Sequence, residues 1–183
     1  MVKVLDTILS QSAYSAEIDV PLEKIDIADW LFNLPEAEYL RCCPPDHIAA
    51  GVTWTDDGRR MSINVEQIGS GLVVQHYVAE VAEPAYCRMN SISDVFTANG
   101  RTQVNVVWEL MAEKIDDGRT RYTNKVTAHP TDAFMRFIES TVSVTKRPRQ
   151  PVSPPAATTT AARRRCLLPA SPVGHCLSKE PLR

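Results

Sequence analysis

Apolar and polar residues alternate in five successive runs between Met61 and Ala128. The first, Met61-Ser62-Ile63-Asn64-Val65-Glu66, has the period of two that marks a strand with one buried face. Val74 to Glu80, Cys87 to Phe96, Thr102 to Met111 and Arg121 to Ala128 follow. They are separated by Gly69-Ser70-Gly71, Glu83-Pro84, Asn99-Gly100 and Asp116-Asp117-Gly118, all turn-forming combinations. A sixth run, His47 to Thr55, precedes them across Asp57-Gly58.

Turn lengths convert these runs into a surface. Tight turns set Trp54 opposite Met61, Ile63 opposite His76, Val78 opposite Met89, Ser91 opposite Trp108, and Trp108 opposite Val126. On that register one face carries Ala50, Val52, Trp54, Met61, Ile63, Val65, Val74, His76, Val78, Met89, Ser91, Ser93, Val95, Val104, Val106, Trp108, Leu110, Asn124 and Val126. The other carries Asn64, Glu66, Gln75, Arg88, Asn90, Asp94, Asn105, Glu109 and Lys125 and reads as solvated. A slip of one residue exchanges the two faces of a strand. The expectation is one antiparallel sheet with a single covered face.

The flanking segments read as strand and helix. Tyr14 to Val20 alternates and predicts a first strand. Leu22, Ile25, Trp30, Leu31 and Leu34 mark an apolar stripe on a helix from about Pro21 to Asn33, and Glu36 to Cys43 predicts a second, shorter helix after Pro35. Thr131 and Asp132 form a helix start, followed by Phe134, Phe137, Ile138 and Val142 at helical spacing. That last helix is the expected cover for the sheet. Residues 1–13 have no definite pattern, although Val4, Leu5, Ile8 and Leu9 fall at helical spacing.

Composition changes the picture at the C-terminal end. Of the 183 residues, those from Lys146 onward are rich in Pro, Ala, Thr and Arg and cannot build a core. The organisation is therefore an N-terminal segment 1–13, a domain 14–145 and a disordered basic tail 146–183. The tail holds eight Lys/Arg and one Glu, a net of +7, which leaves −9 for the preceding residues out of a total of −2. An acidic domain is a poor nucleic-acid binder. The apolar runs are too short to span a bilayer, and the start is not that of a signal peptide. Five cysteines without CxxC spacing argue against a zinc site and fit a reduced, cytoplasmic setting. No cofactor motif occurs, and the oligomeric state is left open.

The element order is strand, two helices, six antiparallel strands, helix. With the texture of Met61-Ser62-Ile63-Asn64-Val65-Glu66 and Val74-Gln75-His76-Tyr77-Val78, it resembles the helix-grip fold of the START and pollen-allergen-like (SRPBCC) superfamily over about residues 14–144. That superfamily includes polyketide cyclases and dehydratases, lipid-transfer domains and hormone binders. The resemblance implies an α+β fold in which a curved sheet and a C-terminal helix enclose a cavity for a small hydrophobic or aromatic ligand. It carries over no catalytic residue. The chain departs from it in having a last helix of only about 14 residues.

His76 is the candidate catalytic residue. It lies mid-strand on the predicted covered face, and an imidazole with an unperturbed pKa of about 6.5 suits proton transfer near neutrality. The alternative is a packed histidine bonded to Ser91. Ser91, Ser93, Tyr122 and Asn124 are candidate polar contacts, because a buried unpaired polar group costs about 1–3 kcal/mol. Trp54, Met61, Ile63, Val74, Val78, Met89, Trp108, Phe134 and Phe137 are the candidate apolar lining. His47 and Asp46 lack a third partner at metal-ligand spacing. Two function classes stay open: a cyclase- or dehydratase-like enzyme, and a non-catalytic carrier or sensor.

Overall fold

The computed structural model describes residues 2–145; the tail read from the sequence as disordered lies outside them. The chain runs through β1 (Ser10–Ile18), a 3-10 turn (Leu22–Lys24), α1 (Ile27–Phe32), α2 (Glu36–Cys42), β2 (His47–Trp54), β3 (Arg60–Ile68), β4 (Gly71–Glu83), β5 (Tyr86–Thr97), β6 (Gly100–Lys114), β7 (Thr120–Pro130) and α3 (Asp132–Thr145). The strands form one antiparallel sheet in the order β1-β7-β6-β5-β4-β3-β2, so the first strand returns beside the last. The preceding residues continue that edge. Val4 bridges Thr131, and Leu5 and Leu9 donate their N–H groups to the carbonyls of Pro130 and Ala128 at 2.9 and 2.8 Å.

The predicted single helix from Pro21 divides in two. Asp26 stays extended, with φ −132° and ψ 92°, and its carboxylate accepts the Asp29 N–H at 2.8 Å. An aspartate used as N-cap starts a new helix where a helical stripe alone would run on. The resulting α1 buries Ile27, Ala28, Leu31 and Phe32. These pack with Tyr77, Met89, Val106, Trp108, Leu110 and Tyr122 in the main core. The face of the sheet turned to α1 is the inner face.

Thr131 caps α3 as its sequence implies. It accepts the Phe134 N–H at 3.0 Å and donates to the Gln103 carbonyl at 2.6 Å. The helix rests on β6 and β7. Phe134 and Phe137 are half-buried and Ile138 is exposed, so the fully buried part of the inner face lies under α1.

The candidate ligand cleft

Backbone pairing fixes which side chains reach the inner face. β3 pairs with β4 as the turn predicts, Ile63 opposite His76 and Val65 opposite Val74. β6 pairs with β7 in the predicted register too, Leu110 opposite Asn124 and Trp108 opposite Val126. Between β4 and β5 the register shifts at Ala79 and Val81, so Ala79, not Val78, stands opposite Met89. Met89 and Tyr77 belong to the core beneath α1. By the two-residue period, Tyr77, Gln75 and Val73 therefore point inward, and His76, Val74 and Val78 point outward. The turn before β3 is also one residue longer than predicted, which sets Trp54 opposite Arg60 and Val52 opposite Ser62.

Several sequence expectations are corrected by this register. His76, Met61, Ile63, Val74 and Val78 lie half-buried on the outer face, away from the cleft. Asn64, Glu66 and Gln75, read as solvated, are buried on the inner face. Met89, Ser91, Ser93, Trp108, Tyr122 and Asn124 are on the inner face and buried. Trp54 shares that face but is 63% exposed at the end of β2, where the Arg60 guanidinium sits 5.8 Å from its ring centroid.

A cleft opens between the inner face and the two helices. It is lined by Leu31 and Leu34 from the α1 side, Tyr39 of α2, Ala50 to Val52 of β2, Ser62 and Asn64 of β3, and Trp108 of β6. Its volume is about 310 Å³ counting the part open to solvent, and the enclosed part takes about one water. Of the candidate site residues read from the sequence, Trp108 alone is among those lining it, joined by Leu31, Leu34, Ala50 and Val52, all expected on buried faces.

The inner face in and around the cleft carries several buried polar side chains. Ser62 Oγ donates to Asn64 Oδ1 at 3.2 Å, and Gln75 Nε2 donates to the Tyr77 hydroxyl at 3.0 Å. Gln75 Oε1 is buried without a hydrogen-bond partner. Ser91 and Ser93 bond to one another at 3.0 Å, and Ser91 Oγ accepts the His76 backbone N–H at 2.8 Å. Trp108 Nε1 donates to Asn124 Oδ1 at 2.9 Å. Burial raises the Tyr77 and Tyr122 hydroxyls above their ordinary range. It pushes the Cys87 thiol up to about 11, which leaves that thiol a packed, unreactive group.

Behind the cleft wall is a buried cluster that the sequence spacing did not reveal. Tyr39 donates its hydroxyl to Glu66 Oε1 at 2.7 Å. The Tyr39 and His47 rings stack 3.8 Å apart and 3° from parallel. His47 Nδ1 is 2.6 Å from the Tyr39 carbonyl, and its Nε2 is 3.8 Å from Glu66 Oε1. Burial raises the Glu66 carboxyl above its ordinary value, against the opposing pull of the Tyr39 hydrogen bond and His47. Burial likewise raises the Tyr39 hydroxyl, reinforced by the Glu66 charge. Among the described residues, no group of three or more His, Cys, Asp or Glu could hold a metal ion, and no helix is long and apolar enough to cross a membrane.

An antiparallel sheet with its first strand beside its last, two short helices between β1 and β2, and a final helix after β7 is the arrangement expected from the element order. The chain has an α+β helix-grip fold. Solved structures are similar to it at low identity. A START superfamily protein of Mycobacterium smegmatis is 14% identical, with a TM-score of 0.45 over 73% of this chain and 89% of that one. An aromatase/cyclase of Streptomyces sp. R1128 is 10% identical, with a TM-score of 0.47 over 74% and 85%. A norcoclaurine synthase point mutant of Thalictrum flavum is 9% identical, with a TM-score of 0.47 over 74% and 86%. No protein-family model and no curated protein sequence matches the chain.

Proposed function

We propose that this helix-grip domain binds a small, mainly apolar molecule bearing one or two polar groups, in the cleft between α1, α2 and β2–β6. One observation carries the reading: the inner face of β3 is polar, continued by Gln75 of β4, while the outer face of β3 is largely apolar. Ser62, Asn64, Glu66 and Gln75 are buried, and Ser62 and Asn64 share the cleft with Leu31, Leu34 and Trp108, while Ile63, Val65, Val74 and Val78 are left half-buried outside. A sequence that breaks the rule of apolar inside and polar outside does so most often at a functional site. An apolar wall with a few convergent polar groups is the general form of a small-molecule site.

The carrier or sensor reading is favoured over an enzyme. An acid–base enzyme needs a titrating group beside the reacting atom. Here Glu66 and His47 are separated from the cleft by Tyr39, and His76 is on the opposite face. The test is a titration of the full-chain protein with 1-naphthol, followed by the backbone and indole N–H resonances. The expected result is a saturable shift of Trp108, Ser62 and Asn64. No shift, or a shift confined to the exposed Trp54, would remove the proposal. Native mass spectrometry of the purified protein would then identify a copurifying ligand directly.

A further inference from the structure

We infer that His47 and Glu66 hold a single proton between them beneath α2, and that this proton sets how α2 closes the cleft; the second half rests on the ligand-binding reading above. The argument begins with the His47 ring. Its Nδ1 is 2.6 Å from the Tyr39 carbonyl oxygen, which can only accept, so Nδ1 carries a hydrogen. In a neutral imidazole Nε2 is then a bare lone pair. That atom is buried and has no hydrogen-bond partner, on a side chain that is 0% exposed. The group it faces is Glu66 Oε1, which already receives the Tyr39 hydroxyl.

Counting protons leaves one stable choice. With none on the pair, a lone pair confronts a carboxylate in a site closed to water. With one on each, a buried imidazolium has no anion. With one in total, the cluster is either two neutral groups or one ion pair, and neither leaves an unpaired buried charge. The surroundings favour keeping that proton. The titratable groups facing the pair are Tyr39 of α2, Cys43 just beyond it, Asp46 before β2 and Tyr77 of β4, and none is a cation.

Tyr39 connects this proton to the cleft. Its hydroxyl is on Glu66, its carbonyl is on His47, its ring is stacked on the imidazole, and the same residue lines the cleft. Removing the proton sets acceptor against acceptor directly beneath that ring. Relief requires Tyr39, and α2 with it, to shift against β2 and β3.

The experiment is a pH titration of the full-chain protein by NMR, without ligand. It reads the Glu66 carboxyl carbon, the His47 ring and the Trp108 indole N–H. The expected result is that Glu66 and His47 move together at one midpoint, above the ordinary carboxylate range, and that Trp108 moves with them. Glu66→Gln should abolish that common step and leave the His76 ring signals unchanged. Separate midpoints in the wild type overturn the shared proton, even if the variant does not fold. A common midpoint with Trp108 unmoved overturns the control of the cleft. Failure of 1-naphthol to bind at fixed pH removes the ligand reading and leaves the shared proton standing or falling on its own midpoints.

Discussion

Trp108 on β6 donates its indole N–H to the Asn124 side chain on β7 at 2.9 Å, and both residues are buried. The bond ties the ring to β7, and the same ring lines the cleft with Ser62 and Asn64. Removing the acceptor orphans a buried donor, which costs about 1–3 kcal/mol. Asn124→Ala should therefore lower unfolding free energy by about that amount, and Asn124→Ser, which keeps an acceptor oxygen without adding a charge, by less. Urea denaturation followed by Trp fluorescence measures both. Equal losses in the two variants would show that packing, not the bond, is what matters there.

The register between β3 and β4 shows how far the sequence could be read. Turn chemistry at Gly69 and Ser70 correctly sets Ile63 opposite His76, and the choice of inner face then goes wrong. Apolar residues were assigned inward on both strands, the ordinary consequence of burial. The sheet instead turns Ser62, Asn64, Glu66 and Gln75 inward. Two local irregularities conceal this: the shift at Ala79 and Val81, and the longer turn around Gly58, whose φ of 80° fits a left-handed turn residue. Element order, the α3 cap and the β6–β7 pairing were legible because each depends on local spacing. The Tyr39–Glu66–His47 cluster was not, because its members come from three elements and meet only after folding.

His76 is accordingly a weak point of attack. Its ring lies on the outer face, and the contact it makes with Ser91 is through its backbone N–H, which any side chain leaves intact. His76→Gln should change stability by no more than about 0.5 kcal/mol, the usual range for surface substitutions. It should leave 1-naphthol affinity unchanged. A tenfold loss of affinity would restore His76 to the site.

The two ends of the inner face should differ in their response to truncation. Leu110 is 0% exposed in the core, whereas Phe137 is half-buried on α3. Leu→Ala in a closed core costs about 2–5 kcal/mol because a cavity remains. Phe137→Ala should cost clearly less than Leu110→Ala, although its side chain is larger. Thermal melts of the two variants decide it, and the reverse order would mean that α3 packs more tightly than its exposure implies.

Glu66 gives stability a defined pH dependence. Its carboxyl is raised by burial in the folded chain, while in the unfolded chain it titrates near the ordinary value of about 4.3. Between those two values the carboxyl is protonated in the folded chain and ionised in the unfolded one, so the contribution of Glu66 itself falls as pH rises through the window. The contribution is fully present below the unfolded value and is lost above the folded one. Glu66→Gln has no such proton to lose. Denaturation midpoints measured from pH 4 upward should show the wild type declining relative to Glu66→Gln, then running parallel to it. A wild type that gains relative to the variant as pH rises would mean that the carboxyl is held ionised by its partners.

Filling the cleft separates ligand binding from stability. Ala50 lines it from β2, is half-buried, and stands opposite Asn64. The enclosed space takes about one water, so any ligand must use the open part of the cleft as well. Ala50→Leu extends an apolar side chain into that volume. Overpacking a closed core costs about 1–3 kcal/mol, and a site open on one side should sit at the low end of that range. Affinity for 1-naphthol should fall at least about tenfold, because the ligand and the new side chain compete for one volume, and a tenfold loss is about 1.4 kcal/mol. Thr53→Ala, opposite Met61 on the outer face of the same strand, is the control and should leave binding as it was. Calorimetry on both variants gives the comparison. If Ala50→Leu binds as tightly as the wild type, the ligand enters elsewhere and the cleft between α1, α2 and β2 is not its site.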